Sequence, residues 1–101
     1  MPYDIIWSPA ARSTYFQILQ YLDEHWSQAD LASFQNHVSQ VLQLIGKFPR
    51  MYEYSEKSDT HQCVLTKHVS LYYQVKQNPK EVELLIFWDN RLDPEKLDLG
   101  E

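Results

Sequence analysis

Two histidines, His61 and His68, stand near the start of the strand-rich half of the chain, and either ring could exchange a proton near neutral pH. Three cations lie close to them in sequence, Lys67, Lys76 and Arg91. The planar fork of Arg91 could hold a phosphate or a carboxylate through two hydrogen bonds. Asp89 and Asp93 flank it two residues away on each side, so the same guanidinium could instead lock a local turn. Tyr73 and Trp88 could stack on a base or fill a partner's pocket, and both could equally be core residues. A histidine flanking a hairpin is ordinarily solvated, and His61 is expected at the surface. His25 and His37 fall on helical segments with no carboxylates at metal-binding spacing, which makes them surface residues and implies no metal site. Cys63 has no activating neighbour and reads as a small buried hydrophobe. The sequence contains no glycine-rich phosphate loop, no HExxH and no nucleophile elbow, so the common hydrolase and nucleotide-binding frameworks are excluded and no cofactor is implied.

The elements that must position these groups follow from patterning. Tyr3 to Trp7 alternates as a strand with Tyr3, Ile5 and Trp7 on one face. Ser8-Pro9 supplies a capping hydroxyl and a proline at the first helical position. Ala11, Tyr15, Ile18, Leu19, Leu22 and Trp26 then form an apolar stripe, which predicts a helix to about Trp26. Ser27 with Asp30 three residues on resembles a capping box, and Leu31, Phe34, Val38, Val41, Leu42 and Ile45 continue a second helix. Gly46 is expected to end that helix in the left-handed conformation, with Pro49 blocking its resumption. A joint this short predicts an antiparallel helical hairpin. Arg50 to Gln62 lacks periodicity and reads as a surface loop with a brief extended piece at Met51 to Tyr54. Cys63–Lys67, Leu71–Lys76 and Val82–Trp88 read as three strands of a meander, with the last one central. In that last strand strict alternation puts Val82, Leu84, Ile86 and Trp88 on one face and Glu83, Leu85, Phe87 and Asp89 on the other. The expected fold is α+β, in the order β-α-α-β-β-β, with the hairpin packed on one face of a small, mainly antiparallel sheet and the other face open.

Composition sets the limits. The 101 residues include seven Tyr, four Phe and three Trp, enough large side chains for one core, and a single domain is expected over 1–101. Nine basic against fourteen acidic residues give a net charge of −5, which disfavours broad electrostatic capture of nucleic acid and direct sequence-specific DNA binding. From Asp89 onward there are five acids against Arg91 and Lys96, so residues from about 92 to 101 read as an acidic extension. No apolar run approaches the roughly 20 residues of a membrane helix, and the N-terminus has no leader-like pattern. A single cysteine fits a reducing compartment. A cytoplasmic protein without membrane contact is expected.

That element order, with Trp7-Ser8-Pro9-Ala10-Ala11, Phe48-Pro49, Leu71-Tyr72-Tyr73-Gln74-Val75 and Phe87-Trp88-Asp89-Asn90-Arg91-Leu92-Asp93-Pro94, resembles the RelE/ParE superfamily over essentially the whole chain. The resemblance implies the toxin of a bacterial type II toxin–antitoxin pair, of the kind called a plasmid stabilisation protein, bound and neutralised by a cognate antitoxin. Some members cleave messenger RNA on the ribosome without a metal, and others bind and poison DNA gyrase. The nucleases usually carry Arg or Lys on their later strands, where this sequence has His61, Gln62 and Gln74. The gyrase-directed branch is therefore expected, with Tyr73, Trp88 and Arg91 as partner-binding residues. Two alternatives stand beside it. One is a ribosome-dependent endoribonuclease using Lys67, His68 and Arg91, and the other is a degenerate toxin that keeps only antitoxin binding.

Overall fold

Ser8 joins the first two elements. The computed structural model describes residues 2–91 and 97, and the acidic extension expected from about 92 lies otherwise outside the described residues. Strand β1 (Asp4–Trp7) leads directly into helix α1 (Pro9–His25). The Ser8 Oγ accepts from the Ala11 amide at 3.0 Å as the N-cap, with Pro9 opening the helix as expected. Two residues then separate α1 from α2 (Gln28–Lys47). Here the capping box is reciprocal: the Asp30 amide donates to Ser27 Oγ at 3.1 Å, and the Ser27 amide donates to Asp30 Oδ2 at 3.4 Å. The helical hairpin covers one sheet face, with Phe34, Val38, Val41 and Ile45 of α2 buried in the core.

The end of α2 corrects the sequence reading. Gly46 lies within the helix, which runs to Lys47 and is capped by Phe48 at φ −132°, outside the left-handed region. β1 passes beside this position, at ordinary contact distance for a side chain there. The Tyr3 amide donates to the Gly46 carbonyl at 2.8 Å, and a Cβ at Gly46 would stand 3.4 Å from the Tyr3 carbonyl oxygen.

Four more strands follow: β2 (Glu53–Ser55), β3 (Thr60–Val64), β4 (Val69–Gln77) and β5 (Lys80–Asp89). Their order is β1-β5-β4-β3-β2, with β1 parallel to β5 and every other pair antiparallel. The segment expected to be a loop, Arg50 to Gln62, thus contains a short edge strand and the start of the next strand. Lys67, placed by the sequence at a strand end, lies instead in the turn between β3 and β4. The last strand is internal, between β1 and β4, while β4 occupies the middle of the sheet.

Strict alternation fails in β5. Tyr72 pairs with Ile86 but Tyr73 pairs with Leu84, which leaves Leu85 as an extra residue in a β-bulge. One added residue reverses every side chain beyond it. Phe87 therefore joins Val82 and Leu84 in the core, all at most 2% exposed, while Ile86 and Trp88 face the open side. The bulge is tied to the start of α1: Ser8 Oγ donates to the Leu85 carbonyl at 2.9 Å, and the Ser8 amide donates to the Leu84 carbonyl at 3.1 Å. Beyond the end of β1 the Phe87 amide donates to Thr14 Oγ1 at 3.0 Å, so α1 takes over the hydrogen bonding that β1 no longer supplies. Phe87 then packs between Trp7 at 5.5 Å and Tyr15 at 5.1 Å.

Candidate functional site

The turn joining β3 to β4 and the end of β5 meet at one end of the sheet. Thr66 Oγ1 accepts from the His68 and Val69 amides, each at 3.1 Å, which shapes the turn that carries Lys67 and His68. The Asn90 amide donates to the His68 carbonyl at 2.8 Å and the Asn90 side chain reaches the Lys67 carbonyl at 3.5 Å. This brings Lys67 and His68 beside Asp89-Asn90-Arg91. All three residues expected to act in a nuclease thus share one end of the molecule, and all three are exposed.

Arg91 is committed locally. Its Nε and one terminal nitrogen donate to the two Asp89 carboxylate oxygens at 2.9 and 2.7 Å, and its amide adds a third bond at 2.9 Å. These hydrogen bonds hold the Asp89 carboxyl below its ordinary range, an effect to which the nearby His68 also contributes. The same pair raises the guanidinium above its usual value.

Trp88 stands half-buried on the open face, opposite Ser70 in register. Around it runs a polar chain: Gln62 Nε2 donates to Ser70 Oγ at 3.1 Å, and Ser70 Oγ donates to Asn90 Oδ1 at 2.7 Å. Ser70 is fully buried, and this chain fixes the backbone on either side of the indole. Sequence reasoning missed Ser70 and Asn90 as a pair, because their partnership depends on a cross-strand register that no local pattern carries. Farther along the same face Lys76 is 3.6 Å from Glu83. The Gln74 side chain is turned to Asp59, donating to its carboxylate at 3.3 Å. The open face mixes polar residues with Tyr72, Ile86 and Trp88, has Ile6 and Val64 as exposed apolar members, and carries the Lys76–Glu83 ion pair.

Two expected residues lie elsewhere. Tyr73 is fully buried on the helix side and donates its hydroxyl to the Pro49 carbonyl at 2.7 Å, so it offers no surface to a partner. Burial raises its phenol strongly. His61 is buried as well, contrary to the expectation of a solvated ring. It stacks on Tyr73 at 5.1 Å and packs against Tyr54 at 4.9 Å, and its Nδ1 has no hydrogen-bond partner. Desolvation, then the Arg50 charge, lowers its pKa, against the opposing pull of Asp59. His61 and His68 therefore cannot serve one site as an acid–base pair. Cys63 is buried as expected, and desolvation raises its thiol. His25 and His37 are exposed, the latter with Nε2 2.9 Å from the Leu65 carbonyl.

Among the described residues no group of three His, Cys, Asp or Glu side chains could hold a metal, and no helix is long and apolar enough to cross a membrane. The features define an α+β protein with a helical hairpin on one sheet face, Trp88 on the other, and the Arg91–Asp89 pair at the end of the sheet. No family model matches the chain, and no curated protein matches it at a significant level.

Proposed function

We propose that this protein is the toxin of a type II toxin–antitoxin pair, of RelE/ParE type, and that it acts in the cytoplasm by binding DNA gyrase. The element order and helical hairpin agree with the fold that the sequence resemblance implies. The choice of target rests on one observation, the pairing of Lys76 on the open face and of Arg91 at the end of the sheet with neighbouring carboxylates. Lys76 lies against Glu83 and Arg91 is held by both oxygens of Asp89. Metal-free RNA cleavage must stabilise a doubly charged phosphorane, which needs several free cations converging on one point. Cations already matched to carboxylates suit a protein contact instead, with Trp88 as its apolar anchor and Arg91 at its rim. The cognate antitoxin is expected to cover this surface and silence it.

A second reading has its own support, because Lys67, His68 and Arg91 gather at one end. In that reading the ribosome would position the RNA and these three residues would carry out the cleavage.

Regulated expression of the chain with separate readouts of plasmid supercoiling and translation tests both. Loss of negative supercoiling before translation falls, reversed by Trp88→Ala at matched expression, is the expected result, together with inhibition of purified gyrase. Early cleavage of messenger RNA with supercoiling intact would replace gyrase by the ribosome. Normal growth with both readouts unchanged would remove the toxin reading and leave the degenerate form.

A further inference from the structure

At the end of the sheet away from Arg91, the end of α2, the segment after it and the ends of β1 and β4 enclose an open cavity of about 550 Å³. Its walls are Tyr3, Lys47, Phe48, Arg50, Met51 and Gln77. The volume falls within the range of small-molecule sites. The ten residues of β5 separate this cavity from the Arg91 end by roughly 30 Å at the usual strand rise.

Three cations surround the cavity in a chain whose net charge is −5. Lys47 and Arg50 line it, and Lys80 places its Nζ 5.7 Å from the centre of the Tyr3 ring. Among the described residues the only ion pairs are Lys76 with Glu83 and Arg91 with Asp89, so all three of these cations lack a carboxylate partner. The nearest acids in the strands belong to the other side of the sheet. Tyr3 shares the helix side with Ile5, and alternation turns Asp4 to the open face together with Glu81, its partner in register.

The polar groups are already oriented. With its amide oxygen toward Arg50, Gln77 accepts from both terminal nitrogens of the guanidinium, one of them at 3.1 Å, and its amide nitrogen lies 3.1 Å from the Tyr3 hydroxyl. A guanidinium has five N–H donors, so the contact positions Arg50 and leaves donors for a ligand. The apolar wall is open to solvent. Phe48 is 61% exposed and Met51 is 53% exposed, and Phe48 stacks on none of the chain's other aromatic rings.

We infer that this cavity binds a nucleotide, with its phosphate on Lys47 and Arg50 and its base against Phe48. Two lining cations with a third beside them match a phosphate monoester, which carries close to two negative charges, better than a single carboxylate. An exposed flat ring beside cations suits a base, whose faces stack on aromatic side chains. The inference is independent of the toxin reading, since it concerns the opposite end of the molecule.

Amide NMR titration of the intact chain with adenosine 5′-monophosphate tests it, alongside adenosine, inorganic phosphate, a single-stranded adenylate hexamer and a hexaglutamate peptide. Shifts confined to Tyr3, the Lys47–Met51 segment and Gln77 are expected. Affinity should be at least about tenfold higher than for adenosine or phosphate alone, and should fall by about tenfold or more in Arg50→Gln and in Phe48→Ala. Both side chains are exposed, and unchanged spectra elsewhere would establish that the variants fold. No shifts at about 5 mM nucleotide, or equal affinity in Arg50→Gln, would overturn the inference. Tighter binding of the hexaglutamate at the same residues would assign the cavity to an acidic peptide. Tighter binding of the hexamer, with shifts running beyond the cavity, would assign the phosphate to a nucleic-acid strand. Either of those results would reject the free nucleotide.

Discussion

Replacing His61 by phenylalanine should stabilise the protein, and the gain should grow in acid. The ring is 6% exposed, lies nearly parallel to Tyr73 at an interplanar angle of 10°, and holds Nδ1 where nothing hydrogen-bonds to it. A buried, unpaired polar atom costs about 1–3 kcal/mol. A phenyl ring keeps the stack and removes that cost, and its extra volume recovers part of it as strain. A net gain of about 1 kcal/mol is expected at about pH 7.5. Protonation adds a second effect. The folded-state pKa of His61 lies below its unfolded value of about 6.5, so the unfolded chain binds the proton more readily. Stability associated with the neutral ring is therefore complete above that unfolded value and is lost as pH falls from it toward the folded value. Between about pH 7.5 and about pH 5.5 the wild type should lose as much as about 1.4 kcal/mol that His61→Phe keeps. Urea unfolding of both proteins at the two pH values measures the gap, and the contributions of His25, His37 and His68 cancel in the difference. A gap unchanged between the two pH values, or a variant less stable at both, would refute the assignment of a neutral, unpartnered ring.

Gly46→Ala should be neutral or stabilise by about 0.5 kcal/mol, because alanine is the better helix residue and its methyl would make only ordinary contact with Tyr3. A loss of more than about 1 kcal/mol in a denaturant melt would restore the left-handed cap that the sequence suggested. Ser8→Ala should cost about 1–2 kcal/mol, since one hydroxyl both caps α1 and satisfies the Leu85 carbonyl at the bulge. A change below about 0.3 kcal/mol would show that the bulge does not depend on Ser8.

What could be read from the sequence was what short-range chemistry decides. Ser8-Pro9 and Ser27 with Asp30 announce helix starts because a cap needs only residues three positions apart. The two apolar stripes announce which helical faces are buried. The pairing of Arg91 with Asp89 was visible as one of two alternatives for the same reason. Gly46 was misjudged because the helix continues past it to Lys47 and ends at Phe48, whose amide donates to the Leu44 carbonyl. The inner face of β5 was misassigned at Ile86, Phe87 and Trp88 because the bulge is anchored by Ser8, 77 positions away. His61 and Tyr73 hid in the same way. His61 reads as a solvated residue and Tyr73 as suited to surface or core until register sets them side by side and the Pro49 carbonyl closes over the tyrosine. Edge strand β2 is exposed along its whole length, so no hydrophobic alternation marks it.

The parallel pairing of β1 with β5 orders events during synthesis. Among the described elements β1 is translated before all the others and its partner β5 after them, so every element between must be made before the two can meet. Until then Ile5 and Trp7 have no neighbouring strand, the Leu85 carbonyl that Ser8 will engage does not yet exist, and Thr14 has no Phe87 amide to receive. Contacts so distant in sequence carry a large loop-closure cost and form slowly. A ribosome that stalls just before Lys80 holds a chain that can pair β2, β3 and β4 but cannot join β1 to them, so the Trp88–Arg91 end and the complete sheet come into being only as β5 is delivered.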